Sequence, residues 1–298
     1  MNKPDLQTRL LKHVQFLSVS LGERSLSRPS HLRAAEDYVF QYFQDLGYQP
    51  RRQTFRCRRQ EVSNVMAGAQ DPQGYYILGA HFDTVAGSPG ADDNASGVAV
   101  LLEAARLARE LSPPRPWTFI GFTTEERQPL SSRRQMGSAV YARRAQREHH
   151  RLLGMLCLES VGYYSQKPGS QFIPLALRRL GYSTTGDFIG LVSNRRSRPL
   201  LQNLEQALKE GCRLPVATLS VPLDGYLLPA VRRSDHANFW GRGFPAVMLT
   251  DTAFMRNPNY HTAQDRLETL DVASMAELTL GLVTFIRQAG DEGLFLPR

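Results

Sequence analysis

Apolar residues keep two rhythms along this chain. From Leu6 to Gly47 they recur at helical spacing in two segments. The second is the clearer, at Leu32, Ala35, Tyr38, Val39, Tyr42, Phe43 and Leu46, with Gly47 as its stop. Shorter runs read as strands: Gln49 to Phe55, Glu61 to Ala69 and Tyr75 to Ala80. The turn signal Asp71-Pro72-Gln73-Gly74 joins the last two, in the style of a hairpin, so the sheet is expected to be mixed at this edge. Val98, Leu101, Leu102, Ala105, Ala108 and Leu111 make one face of a helix, with Asn94 and Ser96 as candidate caps and Pro113, Pro114 and Pro116 beyond it. Trp117 to Phe122 and Leu152 to Leu158 are nearly all apolar, as strands buried on both faces are. Then follow a strand from Asp187 to Val192, a helix from Pro199 to Gly211, a strand from Ala246 to Thr250, and a final helix capped by Asp271 and reaching Gln288. Strands alternating with helices predict a layered α/β sheet.

In such sheets ligands bind beyond the strand ends, and that is where polar residues gather here. The stretch Gly79 to Gly97 holds His81, Asp83, Asp92 and Asp93 between a strand and a helix, with Gly87, Pro89 and Gly90 bending the chain. Trp117 to Phe122 runs into Thr123-Thr124-Glu125-Glu126, and Leu152 to Leu158 into Glu159. Asp235, His236 and His261 lie on later loops. Several carboxylates brought together cannot all stay ionised unless a cation joins them. Histidine with carboxylates is the donor set of zinc and similar ions. His81 and Asp83, two apart at a strand end, share a face, so Asp83 is placed to orient the His81 ring. Glu125 and Glu126 are adjacent and point apart on extended backbone. One can bind metal while the other serves as general base.

The chain has 298 residues, with 42% hydrophobic and 21% charged, which suits one large globular domain with an ample core. No repeat, low-complexity segment or linker divides it, so 1–298 is read as a single domain. Gly162 to Gly186 is a polar, Tyr-, Pro- and Gly-rich excursion, read as a specificity loop. No apolar run is long enough for a membrane span, and the first residues lack a signal-peptide pattern, so a cytoplasmic location is expected. Cys57, Cys157 and Cys212 are scattered and odd in number, which predicts reduced thiols rather than a disulfide framework. The net charge of +8 is carried mostly by arginine with no recognition motif beside it; a solvated basic surface is expected rather than nucleic-acid binding.

Five motifs, in order, carry a resemblance: His-Phe-Asp-Thr-Val, Gly-Ala-Asp-Asp-Asn-Ala-Ser-Gly, Thr-Glu-Glu, Ser-Asp-His and Tyr-His-Thr. From about Arg33 onward the chain resembles the co-catalytic zinc aminopeptidase family, which also contains glutamate carboxypeptidase-like enzymes and glutaminyl cyclases. Glu159-Ser-Val-Gly-Tyr-Tyr-Ser, Met136-Gly-Ser and the run from Thr250 to His261 are similar to a bacterial branch whose substrate is unassigned. The resemblance implies a three-layer α/β/α fold with a central mixed, mostly parallel sheet. It implies two divalent ions, zinc by family, with His81 on the first, Asp93 bridging, and Glu126 and His261 on the second. Glu159 stands where better-known members carry an aspartate ligand of the first zinc. Glu125 resembles the general base, and Tyr260 is a candidate hydrogen-bond donor to the tetrahedral oxyanion.

The activity implied is hydrolysis of a peptide substrate, as an aminopeptidase on short peptides. A glutaminyl cyclase-like acyltransferase with one zinc is the first alternative. A carboxypeptidase on the same metal site is another, and a dead binding module ranks last because all ligand candidates are present. Several residues carry plainer readings. Asp92 is read as a cap or supporting residue, Glu103 as part of a solvated face, and His149 and His150 as surface residues. Asp235 and His236 stay open between a cap with a packed histidine and a supporting or relay role. Tyr163, Tyr164, Tyr226, Arg232 and Arg233 are either pocket or exposed loop residues.

Overall fold

A computed structural model describes residues 2–126, 133–174 and 181–290. The all-apolar runs become the middle of one eight-stranded sheet. In chain order its strands are β1 (Arg51–Cys57), β2 (Gln60–Gly68), β3 (Tyr75–His81), β4 (Trp117–Phe122), β5 (Leu152–Leu158), β6 (Ile189–Asn194), β7 (Val216–Val221) and β8 (Ala246–Thr250). Across the sheet they run β1-β2-β4-β3-β5-β8-β6-β7. The central four, β4, β3, β5 and β8, are parallel, while β2 meets β4 and β6 meets β8 antiparallel. All four central strands therefore end on one edge.

Alternation along β3 assigns its faces. Tyr76, Leu78 and Ala80 pack into the core of one layer, and Tyr75 and Ile77 into the other. The first layer holds α1 (Lys3–Val14), α2 (Pro29–Asp45), α3 (Gly97–Ala108), α5 (Arg198–Gly211) and α7 (Val272–Gln288). The second holds α4 (Gly137–Arg147) and the short α6 (His236–Trp240), through Tyr141, Ala142, Phe239 and Trp240. This is the expected α/β/α sandwich with a mixed, mostly parallel sheet. Asp271 caps α7 as expected, accepting from the Ser274 amide at 3.0 Å. The three cysteines are free.

Two expectations need correction. The Asp71–Gly74 turn forms, but β2 and β3 do not pair. The hairpin is β1–β2, closing at Cys57 and Gln60, and β4 lies between β2 and β3. The crossover through α3 brings β4 back beside β3 in parallel, and this takes the edge a hairpin would have used. Strand β7 was not anticipated either; as an edge strand it is only half-buried and lacks the apolar run that marks the central ones.

Glu103 on α3 is the second correction: it is fully buried rather than solvated. Its carboxylate accepts from Tyr42 Oη at 2.5 Å and Arg106 Nε at 2.8 Å, and lies 3.2 Å from His13 Nε2. Burial opposes its ionisation, but the bonds from His13, Tyr42 and Arg106 outweigh it and hold the carboxyl below its usual value. A depressed carboxyl stabilises the fold fully above the unfolded-state pKa and loses that contribution as pH falls through the folded one. Glu103→Gln is thus expected to cost about 1–3 kcal/mol near neutrality. Denaturant titrations of both proteins across pH should show the gap shrinking in acid. A gap independent of pH would show that ionisation of Glu103 does not matter.

Candidate metal centre

The ends of β3, β4 and β5 and the loop after β8 converge at the edge where the parallel strands stop. His81 closes β3, Glu125 and Glu126 follow β4, and Glu159 follows β5. His261 arrives from the loop after β8 with φ +60°. Asp93 comes from the kinked turn Ala91–Ser96 that leads into α3, and its own backbone is not helical (φ −108°, ψ 87°). Gly90, at φ +58°, opens that turn; a Cβ there would sit 2.4 Å from the Asp93 carbonyl oxygen.

The carboxylate of Asp93 divides the cluster. Its Oδ1 is 3.3 Å from His81 Nε2, which is also 3.3 Å from Glu159 Oε2. Its Oδ2 is 2.9 Å from His261 Nε2, which is 3.0 Å from Glu126 Oε1. Yet both oxygens of Asp93 and both Nε2 atoms lack an aligned hydrogen-bond partner. Buried polar atoms left like this are costly unless something else binds them. Donor atoms of His81, Asp93 and Glu126 all lie within 4.8 Å of one another.

Charge points the same way. Burial pushes Glu126 up to about 8, with Asp93 beside it adding to the rise. Burial lowers His261, but the Asp93 and Glu126 carboxylates overcome this and raise it to about 10. The imidazoles are being recruited as cations among crowded carboxylates. Divalent ions would satisfy the same oxygens and leave the imidazole nitrogens free to coordinate, so nitrogen and oxygen donors of this kind fit zinc.

Around the cluster, carboxylates grip pairs of successive backbone amides. Asp83 accepts from the amides of Glu125 and Glu126 at 3.1 and 3.0 Å. Asp265 accepts from those of Asp92 and Asp93 at 2.9 and 3.1 Å. This refines the expected role of Asp83. The His81 Nδ1 atom is 3.1 Å from the Asp83 backbone oxygen and 3.7 Å from its carboxylate. The carbonyl holds the ring, and the side chain holds the glutamate loop. Asp92 supports rather than faces the cluster: it accepts from the Gly162 amide at 2.9 Å and from Asn257 Nδ2 at 2.8 Å. Burial and the adjacent Asp251 raise it well above the usual carboxylate range. Asn94 does cap α3, its Oδ1 accepting from the Gly97 amide at 3.2 Å, and it also takes the Ser160 amide behind Glu159 at 3.1 Å. Ser234 donates to Glu159 Oε2 at 2.5 Å.

His236 proves to be packed, with Nε2 2.8 Å from the Val231 oxygen and its ring edge-on to Trp240. Asp235 is buried behind the cluster, makes no capping bond to α6, and is pushed up to about 7 by burial. Three supporting residues escaped the sequence reading: Arg24, Asp265 and Asp251. Asp251 directly follows buried β8, the same signal that marked Glu159. Asp265 sits four residues after His261 with no pattern of its own, and nothing distinguishes Arg24 from the other arginines.

Two chambers meet at the cluster. One is apolar, bounded by Leu191, Val192, Leu219, Val231 and Met248, and reaches Glu159 and Tyr260. The other is polar, bounded by Glu125, Glu126, His261, Arg232 and Arg233. Tyr260 lines both and stacks on the His261 ring at 3.8 Å between centroids. Tyr163, Tyr164 and Tyr226 line neither. The excursion 162–186 contributes Gln171, Phe172, Ile173, Pro174 and Tyr182 to the apolar chamber; its residues 175–180 lie outside the described ones.

Residues 62–286 match peptidase family M28. Over 287 residues the chain is 33% identical to the uncharacterized protein YfbL of Escherichia coli (strain K12), covering 93% of this chain and 87% of that one. It is 25% identical over 245 residues to a probable leucine aminopeptidase of Arthroderma otae, with 76% of this chain covered and 58% of the length of the fungal protein. An aminopeptidase from Aneurinibacillus sp. strain AM-1 shares the fold at TM-score 0.68 and 17% identity, over 100% of this chain and 99% of that one. A glutaminyl cyclase of Fimbriiglobus ruber shares it as well. Matched across most of its length, and carrying a buried His–Asp–Glu group where the parallel strands end, this chain belongs to peptidase family M28.

Proposed function

We propose that this chain is an aminopeptidase that removes the first residue of short peptides with the help of two divalent ions, zinc by donor chemistry. The observation that carries the reading is the split carboxylate of Asp93, one oxygen facing His81 and Glu159 and the other facing His261 and Glu126. In this reading the first group holds one ion and the second group the other, with Asp93 shared. Bound there, the ions would supply Lewis acidity to the scissile carbonyl and to a water. Glu125 lines the polar chamber but forms no ion pair with either imidazole among the described residues, so it is free for proton transfer. It takes the proton of the attacking water and delivers it to the leaving amine. Burial, with the carboxylates nearby, pushes the Tyr260 hydroxyl up, so it keeps its proton and can donate to the developing oxyanion.

The apolar chamber beside Glu159 suits the first side chain of the peptide, and Gln171 to Pro174 and Tyr182 in its wall fit a role in specificity. The aminopeptidase name of the fungal relative agrees with this reading. A cyclase-like reaction needs one ion and no attacking water, and the presence of a second donor group, His81 with Glu159, beside His261, Asp93 and Glu126 favours hydrolysis over it.

Elemental analysis is expected to find two ions per chain, and aminoacyl chromogenic substrates to be cleaved only with a free amine. Cleavage undiminished by N-acetylation would overturn the aminopeptidase assignment. His261→Ala is expected to lose about one ion per chain, since one of three donors to the second ion is gone. Unchanged stoichiometry would remove His261 from the ligand set.

A further inference from the structure

The two chambers share a wall, and one residue in it carries a charge with no ion-pair partner among the described residues. Ala230, Arg233, Ser234, Phe254 and Tyr260 border both. Apart from His261, the cationic residues of the polar chamber are Arg232 and Arg233. Arg232 is buried; its guanidinium donates to the Asp224 carbonyl oxygen and lies 4.0 Å above the Tyr226 ring. Arg233 is exposed, and no carboxylate lies within ion-pairing distance of it among the described residues. Its guanidinium lies over the face of Phe254, 5.2 Å from the ring centroid. A guanidinium laid over an aromatic ring is oriented without using its N–H groups. Those donors stay available for a planar anion, and carboxylate is the group whose geometry they match.

We infer that Arg233 recognises a carboxylate on the part of the substrate that follows the scissile bond. The inference rests on the hydrolytic reading of the centre. With the first side chain in the apolar chamber, the rest of the peptide leaves along the polar one, past this wall. An extended residue spans about 3.3–3.6 Å, so only a group one or two residues beyond the cleaved bond falls near the cluster. That carboxylate is either the free C-terminus of a di- or tripeptide or the side chain of an acidic second residue. The preferred substrates are then short peptides, or peptides with Asp or Glu after the first residue. Arg233 positions them and takes no part in the bond-breaking step.

Matched substrates separate the possibilities: Leu-Ala against Leu-Ala-amide for the terminus, and Leu-Glu-amide against Leu-Gln-amide for the side chain. In the native enzyme kcat/KM is expected to favour the carboxylate member of at least one pair by roughly ten- to a hundredfold, the scale of a charge-assisted hydrogen bond in a partly desolvated site. R233Q is expected to bring that ratio close to one, mainly through KM, and R233K to restore part of it. Native enzyme that does not discriminate within either pair, or a ratio untouched in R233Q, overturns the proposal. N-acetyl-Leu-Ala distinguishes this failure from failure of the aminopeptidase reading. Its cleavage with the same dependence on Arg233 would keep the carboxylate contact and reverse the polarity of the peptidase.

Discussion

Replacing Glu125 by Gln is expected to lower kcat by about 10²–10⁴ while leaving the metal content and the fold unchanged. Glutamine keeps the size of the side chain and loses the capacity to accept a proton. The backbone amide of residue 125 stays in the grip of Asp83, so the loop has no reason to move. The contacts among the proposed ligands lie elsewhere: His81 Nε2 faces Asp93 and Glu159, and His261 Nε2 faces Asp93 and Glu126, neither of them Glu125. Metal analysis and kinetics on one preparation test both halves. Hydrolysis at the native rate would remove Glu125 as the base. A parallel loss of one ion would instead make it a ligand and leave the base unassigned. The same substitution at Glu126 should behave oppositely, because that carboxylate stands 3.0 Å from His261 Nε2.

Much of this arrangement was legible in the sequence, for a physical reason. A strand buried on both faces must be apolar throughout, so a polar residue at its end stands out sharply. His81, Glu125, Glu126 and Glu159 were readable on that ground, and the structure brings them to one edge. Asp93 and His261 lie on loops, and there the motif resemblance supplied what periodicity could not. The failures share a different cause. Glu103 occupies a helical position that looks solvated, and only the arrival of His13 and Tyr42, 90 and 61 residues away, makes it a buried centre. The misplaced hairpin likewise depended on where β4 would insert, a decision taken by the crossover rather than by the turn. Asp265 and Arg24 act on backbone groups, which any sequence possesses everywhere, so nothing local announces them.

Arg24→Met is expected to destabilise the fold by about 3–5 kcal/mol, a large share of the margin of an ordinary domain. Arg24 is fully buried. Its guanidinium donates to the carbonyl oxygens of Leu17, Gly22, Phe82, Pro89 and Gly90 at 2.7–3.0 Å. Phe82 directly follows His81, a proposed ligand, and Pro89 and Gly90 precede the turn that bears Asp93. One side chain therefore ties the end of the first helical segment to both ends of the loop that shapes the metal centre. Burial lowers its pKa to about 10, against the pull of Asp265, Asp83 and Asp93, so it remains charged at neutral pH. Methionine fills similar space but leaves those carbonyls without donors in a site closed to water. Arg24→Lys keeps the charge and presents a compact ammonium in place of the planar fork, so it should recover part of the loss. Denaturant midpoints with metal chelated measure the effect on the fold alone, and an unchanged midpoint would refute it. Repeating the series with saturating zinc adds the binding contribution, because an ion that binds only the folded state stabilises it in proportion to its affinity. If Arg24 also holds the Asp93 turn ready for metal, the loss in zinc exceeds the loss in chelator. Equal losses would confine Arg24 to propping the fold.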